Sequence, residues 1–272
     1  MAKTQSAAAL LECARNLARD FAETYQLRDK LGDFPHEEMA RLKKSGLLAA
    51  TVPVEYGGAW LSFADFIEIV MILAAANPSI AHNFIEHGVF TRELLMGTPN
   101  PALQRKIYDA IVRDHASVSN AAAERGSPTV LKYSTRFTDD PARNGVTING
   151  KKFFCTGALC SDYLFVTGRY QDGYAFAWIP TKSPGVHVLD DWDAMGMRGT
   201  GSHDIELTNV FVADAGIGLK RPQGKWHPLF HIISMIAFPL VYSAYVGVAQ
   251  AARDLVVEKA RTRKADRYSV DL

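Results

Sequence analysis

Apolar residues recur at helical spacing from the start of the chain. Within residues 5–30, Leu10, Leu11, Ala14, Leu17, Ala18 and Phe21 form one stripe, with arginine and aspartate on the other side. That spacing predicts an amphipathic helix. Asp33-Phe-Pro-His-Glu-Glu reads as a second helix start, with Pro35 near the first turn and carboxylates at the positive end. This helix is expected to run to about Lys44. Residues 46–58 are rich in turn formers and end in paired glycines, so they read as a connector. Helical patterning returns over 62–76, breaks at Asn77-Pro78-Ser79, resumes over 80–96, and closes with 103–113. From about Ser117 the period changes. Short alternating runs at 146–148, 163–168, 174–179, 186–189 and 205–212 predict strands. Asn144-Gly145 and Asn149-Gly150 are expected as two-residue hairpin turns. Residues 216–225 read as a polar linker, and 229–262 as helix again, interrupted or kinked at Pro239.

The order helices, strands, helix predicts an α+β fold. It divides into a helical domain over 1–116, a β-barrel-like domain over 117–225, and the start of a C-terminal helical bundle over 226–272. At 272 residues, with 48% hydrophobic and 22% charged positions, the composition is that of an ordinary globular protein. A formal net charge of +1, with Lys and Arg scattered, excludes a nucleic-acid partner as an expectation. Cys13, Cys155 and Cys160 are too few and too irregular for a disulfide framework or a zinc site, so no metal is expected and a reducing cytoplasm is the default. From His227 to Ala252 there is no Asp, Glu, Lys or Arg. That stretch is long enough for a bilayer, yet Pro228, His231, Pro239, Gln250 and the absence of flanking basic anchors favour an interface helix over a membrane span.

Four segments, in order, resemble the acyl-CoA dehydrogenase superfamily of flavoproteins. They are Gly46-Leu-Leu with Val52-Pro-Val-Glu-Tyr-Gly-Gly, then Asn149-Gly-Lys-Lys-Phe-Phe-Cys-Thr-Gly, then Met195-Gly-Met-Arg-Gly-Thr-Gly-Ser with Leu207-Thr-Asn-Val, and Gly247-Val-Ala-Gln-Ala-Ala-Arg-Asp with Arg261-Thr-Arg. Within it, Ser119-Asn-Ala-Ala-Ala-Glu, Cys155-Thr-Gly-Ala and Asp190-Asp-Trp-Asp-Ala-Met-Gly-Met-Arg look similar to the two-component flavin monooxygenases of the dibenzothiophene-desulfurising kind. The resemblance implies FAD or FMN as cofactor, used as reduced flavin with O2 on a small organic substrate. It further implies a flavin reductase as partner, or an electron-transfer flavoprotein for a dehydrogenase, and a homo-oligomer (dimer or tetramer) formed through the C-terminal helix.

Carried onto this chain, the resemblance assigns Thr156 to the flavin N5 edge and Phe154, with Cys155 beside it, to packing against the ring. Asn120, Ala122, Ala123 and Ser127 fall in the loop that follows the isoalloxazine edge, although Ala123 stands where the dehydrogenases carry a hydroxyl. His87 matches a histidine over the reactive edge, and Arg263 the arginine that binds the FAD diphosphate of a neighbouring subunit. Each has an ordinary alternative. Thr156 can cap its own turn, Asn120 and Ser127 can be plain loop residues, His87 can be packed between helices, and Arg263 can offset a helix dipole. Cys155 and Cys160 read as small fillers, His82 and Glu86 as solvent-facing neighbours, and His203 as a surface residue. No glutamate stands on the helix over 229–257 before Asp254, so a dehydrogenase base is expected past Leu272. The expected bundle is present only as its first helix, which leaves an enzyme completed elsewhere or a non-catalytic assembly fragment as further readings.

Overall fold

The computed structural model describes residues 5–126, 133–222 and 227–263. The helical part comprises α1 (Ala7–Leu31), α2 (His36–Lys44), α3 (Phe63–Ala76), α4 (Pro78–Thr91), α5 (Glu93–Met96) and α6 (Pro101–Asp114). Strands follow as β1 (Val118–Ala121), β2 (Arg136–Asp140), β3 (Gly145–Lys152), β4 (Tyr163–Tyr170), β5 (Gly173–Pro180), β6 (Val186–Val188), β7 (Ile205–Ala213) and β8 (Ile217–Pro222). The helix α7 (Pro228–Thr262) closes the order.

Local chemistry sets the helix ends. Ser6 accepts the Ala9 N–H at the start of α1, and Gly32 ends it at φ +77°, the left-handed conformation glycine adopts without strain. Asn77 accepts the Ile80 N–H, and Pro78 follows it in the first turn of α4, where the missing proline N–H would be unpaired in any case. Almost every side chain of α4 is buried. It packs against α3, α7 and β1. Gly88 lets α3 come close, since a Cβ there would lie 2.5 Å from Phe66 Cζ. Gly247 does the same for α7, where a Cβ would lie 2.4 Å from the Met71 carbonyl oxygen.

The described strands form one sheet in the order β6-β7-β3-β2-β4-β5-β8, with β1 paired in parallel to β4. One core fills the sheet with Val146, Ile148, Leu164, Val166, Ala177 and Val210. A second belongs to the helices and reaches into the sheet through Phe165, Phe176 and Trp178. Trp178 donates its indole N–H to the Phe90 carbonyl at 3.2 Å, and the Phe90 and Phe165 rings stack at 4.5 Å. These contacts fix α4 against the sheet.

Several expectations need correction. Asn149-Gly150 is not a hairpin turn: β3 runs through it, with a register shift between Ile148 and Gly150 against β7, as a β-bulge does. Asn144 ends a longer β2–β3 connection in the left-handed conformation, after the short 3-10 turn Pro141–Arg143. The stretch read as a linker contains β8, which pairs with β5. Helix α7 continues through Pro239. By length and composition it is long and apolar enough to cross a bilayer, and here it packs on α3 and α4.

Candidate functional site

After β3 the chain turns sharply, with Phe154 at φ +54° and Gly157 at φ +75°. The turn is tied to the segment before β7. Cys155 N–H donates to the His203 carbonyl at 3.1 Å and Gly157 N–H to the Thr200 carbonyl at 3.0 Å. Ser119 on β1 donates its hydroxyl to the Thr156 carbonyl. The Thr156 and Ser202 hydroxyls lie 2.8 Å apart, and Ser202 and Thr200 are also 2.8 Å apart. Three hydroxyls thus form a chain along the floor of a cleft.

The wall beside this floor is the segment 190–200. His203, which is buried, accepts the Asp191 and Trp192 N–H groups at Nδ1, each at 3.0 Å. That corrects its expected place on the surface. Trp192 donates its indole N–H to the Met197 carbonyl and meets the Phe154 ring edge-on at 5.8 Å. Arg198 anchors the segment to the helical domain by donating to the Asp29 carbonyl near the end of α1.

Two adjoining cavities result. One, of about 650 Å³, is lined by Phe154, Thr156, Trp192, Ser202, Asn120 and Val241, among others. The second, of about 580 Å³, is lined by Phe90, Phe153, Phe165, Ala122, Ile233 and Phe238, among others. Glu86, Asn120, Ala123 and Val241 border both. Among the described residues, neither is lined by lysine or arginine.

Of the residues assigned from sequence, the fold brings Phe154, Thr156, Asn120, Ala122 and Ala123 to the two cavities. Asn120 also accepts the Ala122 N–H at 2.9 Å, which shapes the loop. Three others stand elsewhere. His87 lies in the core, donating from Nε2 to the Leu48 carbonyl at 3.0 Å and accepting the Val118 N–H at Nδ1 at 3.2 Å. Burial pushes its pKa down to about 4. Cys155 is enclosed in the core of the sheet, where burial raises its thiol pKa, and it lines neither cavity. Arg263 is exposed just past the end of α7. Ser127 lies outside the described residues.

Among the residues missed by sequence reasoning are His82 and Glu86. Both line the first cavity with Pro78, one turn apart along a single face of α4. The helix period places His87 on a different face from Glu86. The i, i+4, i+8 spacing of Pro78, His82 and Glu86 shows in the sequence that they share a face, but not that this face meets a cavity. Burial lowers the His82 pKa, so its imidazole is neutral at pH 7. Burial alone raises Glu86 to about 8.

The first cavity suits a flavin ring by its donor set. It offers hydroxyls and an amide along one edge, aromatic rings at the side, and a volume within the usual range of about 300–1,000 Å³ for cofactor pockets. Among the described residues its lining carries no lysine or arginine for a phosphate.

Comparison with known proteins agrees with this architecture. Residues 4–114 match the acyl-CoA dehydrogenase N-terminal domain, and residues 120–210 match the acyl-CoA dehydrogenase middle domain. A dibenzothiophene monooxygenase from Rhodococcus qingshengii is 34% identical over 264 residues, covering 92% of this chain and 62% of that protein. The structure of FMN-bound TdsC from Paenibacillus sp. A11-2 superposes with a TM-score of 0.82 at 27% identity, covering 94% of this chain and 66% of the other. Methanesulfinate monooxygenase MsuC from Pseudomonas fluorescens gives a TM-score of 0.84 at 25% identity, covering 96% and 66%. The chain spans less than two thirds of the length of the dibenzothiophene monooxygenase it matches. With both domain models matched in order and the fold shared, the chain belongs to the acyl-CoA dehydrogenase superfamily.

Proposed function

We propose that this chain forms the flavin platform of a two-component monooxygenase, which uses reduced flavin and O2 to oxygenate a small organic substrate. The carrying observation is the junction of a hydroxyl-floored cavity with an aromatic one across Glu86, Asn120 and Ala123. Such a pair accommodates a flavin ring and a substrate side by side. The relatives named above support this reading, and the FMN-bound neighbour favours FMN over FAD.

In this reading Thr156 and Ser202 hydrogen-bond the polar edge of the ring, while Phe154 and Trp192 enclose its side. Asn120 holds the loop that separates flavin from substrate. His82, kept neutral by burial, can take up or release a proton at Nε2. Reduced flavin, when bound, supplies the electrons that activate O2. The aromatic walls of the second cavity exclude water from the substrate. A separate flavin reductase would supply the reduced cofactor. Thr156, Phe154, Asn120, Ala122 and Ala123 are the site residues of this proposal, and His82 replaces His87 as its imidazole.

Labelled oxygen tests the reading. With FMN, a flavin reductase, NADH and 18O2, one 18O atom should enter at least one of two probes, an aromatic thioether and an arylmethylamine. Absence of label contradicts it, as does bleaching of bound oxidised flavin by an acyl-CoA without oxygen.

A further inference from the structure

Glu86 has no partner within the described residues that satisfies its carboxyl group. Its nearest ionisable neighbour is His82, with Nε2 3.7 Å from Oε1, too far for a hydrogen bond. Among the described residues no hydrogen bond to its carboxyl group is formed, and burial raises its pKa to about 8. Only 13% of the Glu86 side chain is exposed, and that exposure is to the two cavities it lines, so its carboxyl group is open to whatever enters them.

The charge inventory narrows what that is. The second acid at the cavities, Glu124, is already bonded by Lys152, Ser134 and Thr135. Among the described lining residues there is no lysine or arginine to receive an anionic ligand. A carboxylate or phosphate at the reacting end of a substrate would find at most one hydrogen bond from a protonated Glu86, with no described cation beside it to offset its charge. A cation finds the opposite. The second cavity, which Glu86 borders, is lined by Tyr133, Phe90, Phe153, Phe165 and Phe238, and aromatic faces attract ammonium groups. An ammonium paired with an ionised Glu86 in a cavity of low polarity makes a charge-assisted hydrogen bond. A neutral acceptor would gain only an ordinary one.

We infer that Glu86 is a specificity-determining residue that selects substrates bearing a basic nitrogen, receiving the ammonium group while the aromatic cavity holds the rest of the molecule. This rests on the oxygenase reading for its assignment of the second cavity to substrate. Asn120 stands at the same junction and adds a polar contact without charge.

The test is binding, which needs neither oxygen nor turnover. The full chain is titrated by calorimetry, with and without FMN, using 2-naphthylmethylamine, neutral 2-ethylnaphthalene and anionic 2-naphthoate. The amine should bind at least about tenfold more tightly than the neutral probe, as a charged hydrogen bond implies, and the carboxylate more weakly than either. In Glu86→Gln the amine preference should vanish, with the neutral probe bound within about threefold of its original affinity. Equal affinities for amine and neutral probe, or a preference that persists in Glu86→Gln, would overturn the inference. The comparison among the three probes on the unaltered chain stands even if the variant folds poorly. FMN affinity measured in the same samples reports on the parent reading separately, so the two fail independently.

Discussion

Lys152 Nζ lies 2.6 Å from Glu124 Oε1, and the lysine side chain is wholly enclosed. The same ammonium also reaches the Ala122 carbonyl at 3.3 Å and sits 4.6 Å from the centre of the Tyr133 ring. One cation from β3 therefore gathers Ala122, Glu124 and Tyr133, all of which line the second cavity. Burial works against ionisation of Glu124, yet bonds from Lys152 and Ser134 outweigh it and hold its pKa down to about 2.

Replacing one partner should therefore cost far more than replacing both. Lys152→Met leaves a buried carboxylate uncompensated and is expected to destabilise by about 3–5 kcal/mol. Lys152→Met with Glu124→Leu should recover most of that loss, because no charge remains to be solvated. Urea denaturation at pH 7 measures both. The sign with pH is also defined. A carboxylate with a depressed folded pKa contributes stability above its ordinary value of 4.5, and the contribution is lost as pH falls toward about 2.

His87 behaves in the same direction for a different reason. Its neutral tautomer is required by the bonds to Leu48 and Val118. Between the ordinary value of 6.5 and the folded value of about 4, the unfolded chain binds more protons than the folded one. Stability from this group is thus present above pH 6.5 and lost as pH falls toward 4, by roughly 3 kcal/mol in all. Glu86, raised to about 8, opposes it over part of the same range, so the difference between native and His87→Gln melts is the quantity to read. His87→Phe should lower stability by about 2–4 kcal/mol through the unpaired Val118 and Leu48 groups. Molecules that remain folded should keep their flavin affinity; loss of affinity in the folded fraction would return His87 to the site.

Gly247 tests the role of α7 as a cavity wall. An alanine there would place Cβ against the Met71 carbonyl, forcing α7 away from α3. The expected cost is about 1–3 kcal/mol from overpacking, despite the roughly 1 kcal/mol that alanine gains over glycine in a helix. Because Val241, Ala244 and Val248 of α7 line the first cavity, ligand affinity should fall together with the melting temperature. A more stable variant with unchanged affinity would contradict this packing.

Much of this architecture was legible in the chain because its periods are clean. The stripe from Leu10 to Phe21 and the alternation in 205–212 each bury one face, as α1 and β7 show. Strand β2, Arg136-Phe-Thr-Asp-Asp, was not legible, since only Phe137 is buried and the rest is polar. Asn149-Gly150 carries turn chemistry, and only pairing with β7 makes it a bulge. The hydroxyl and aromatic elements of the site could be placed from the Phe154–Gly157 motif. The choice between His82 and His87 could not, because both sit on one helix and tertiary packing decides which face meets the cavity. Trp192 and Ser202 were equally hidden, because tertiary hydrogen bonds place them: the Trp192 N–H donates to His203, and Ser202 pairs with the Thr156 hydroxyl.

The central claim is that the cavity between Phe154, Thr156 and Trp192 holds the flavin ring. Its most direct measurement is the dissociation constant of reduced FMN under nitrogen, followed by quenching of tryptophan emission. The account predicts saturable one-site binding, weakened about fivefold in Thr156→Val by loss of one hydrogen bond and about tenfold in Phe154→Ala by loss of the ring contact. Absence of saturable quenching, or equal affinity in the native chain and both variants, would contradict it.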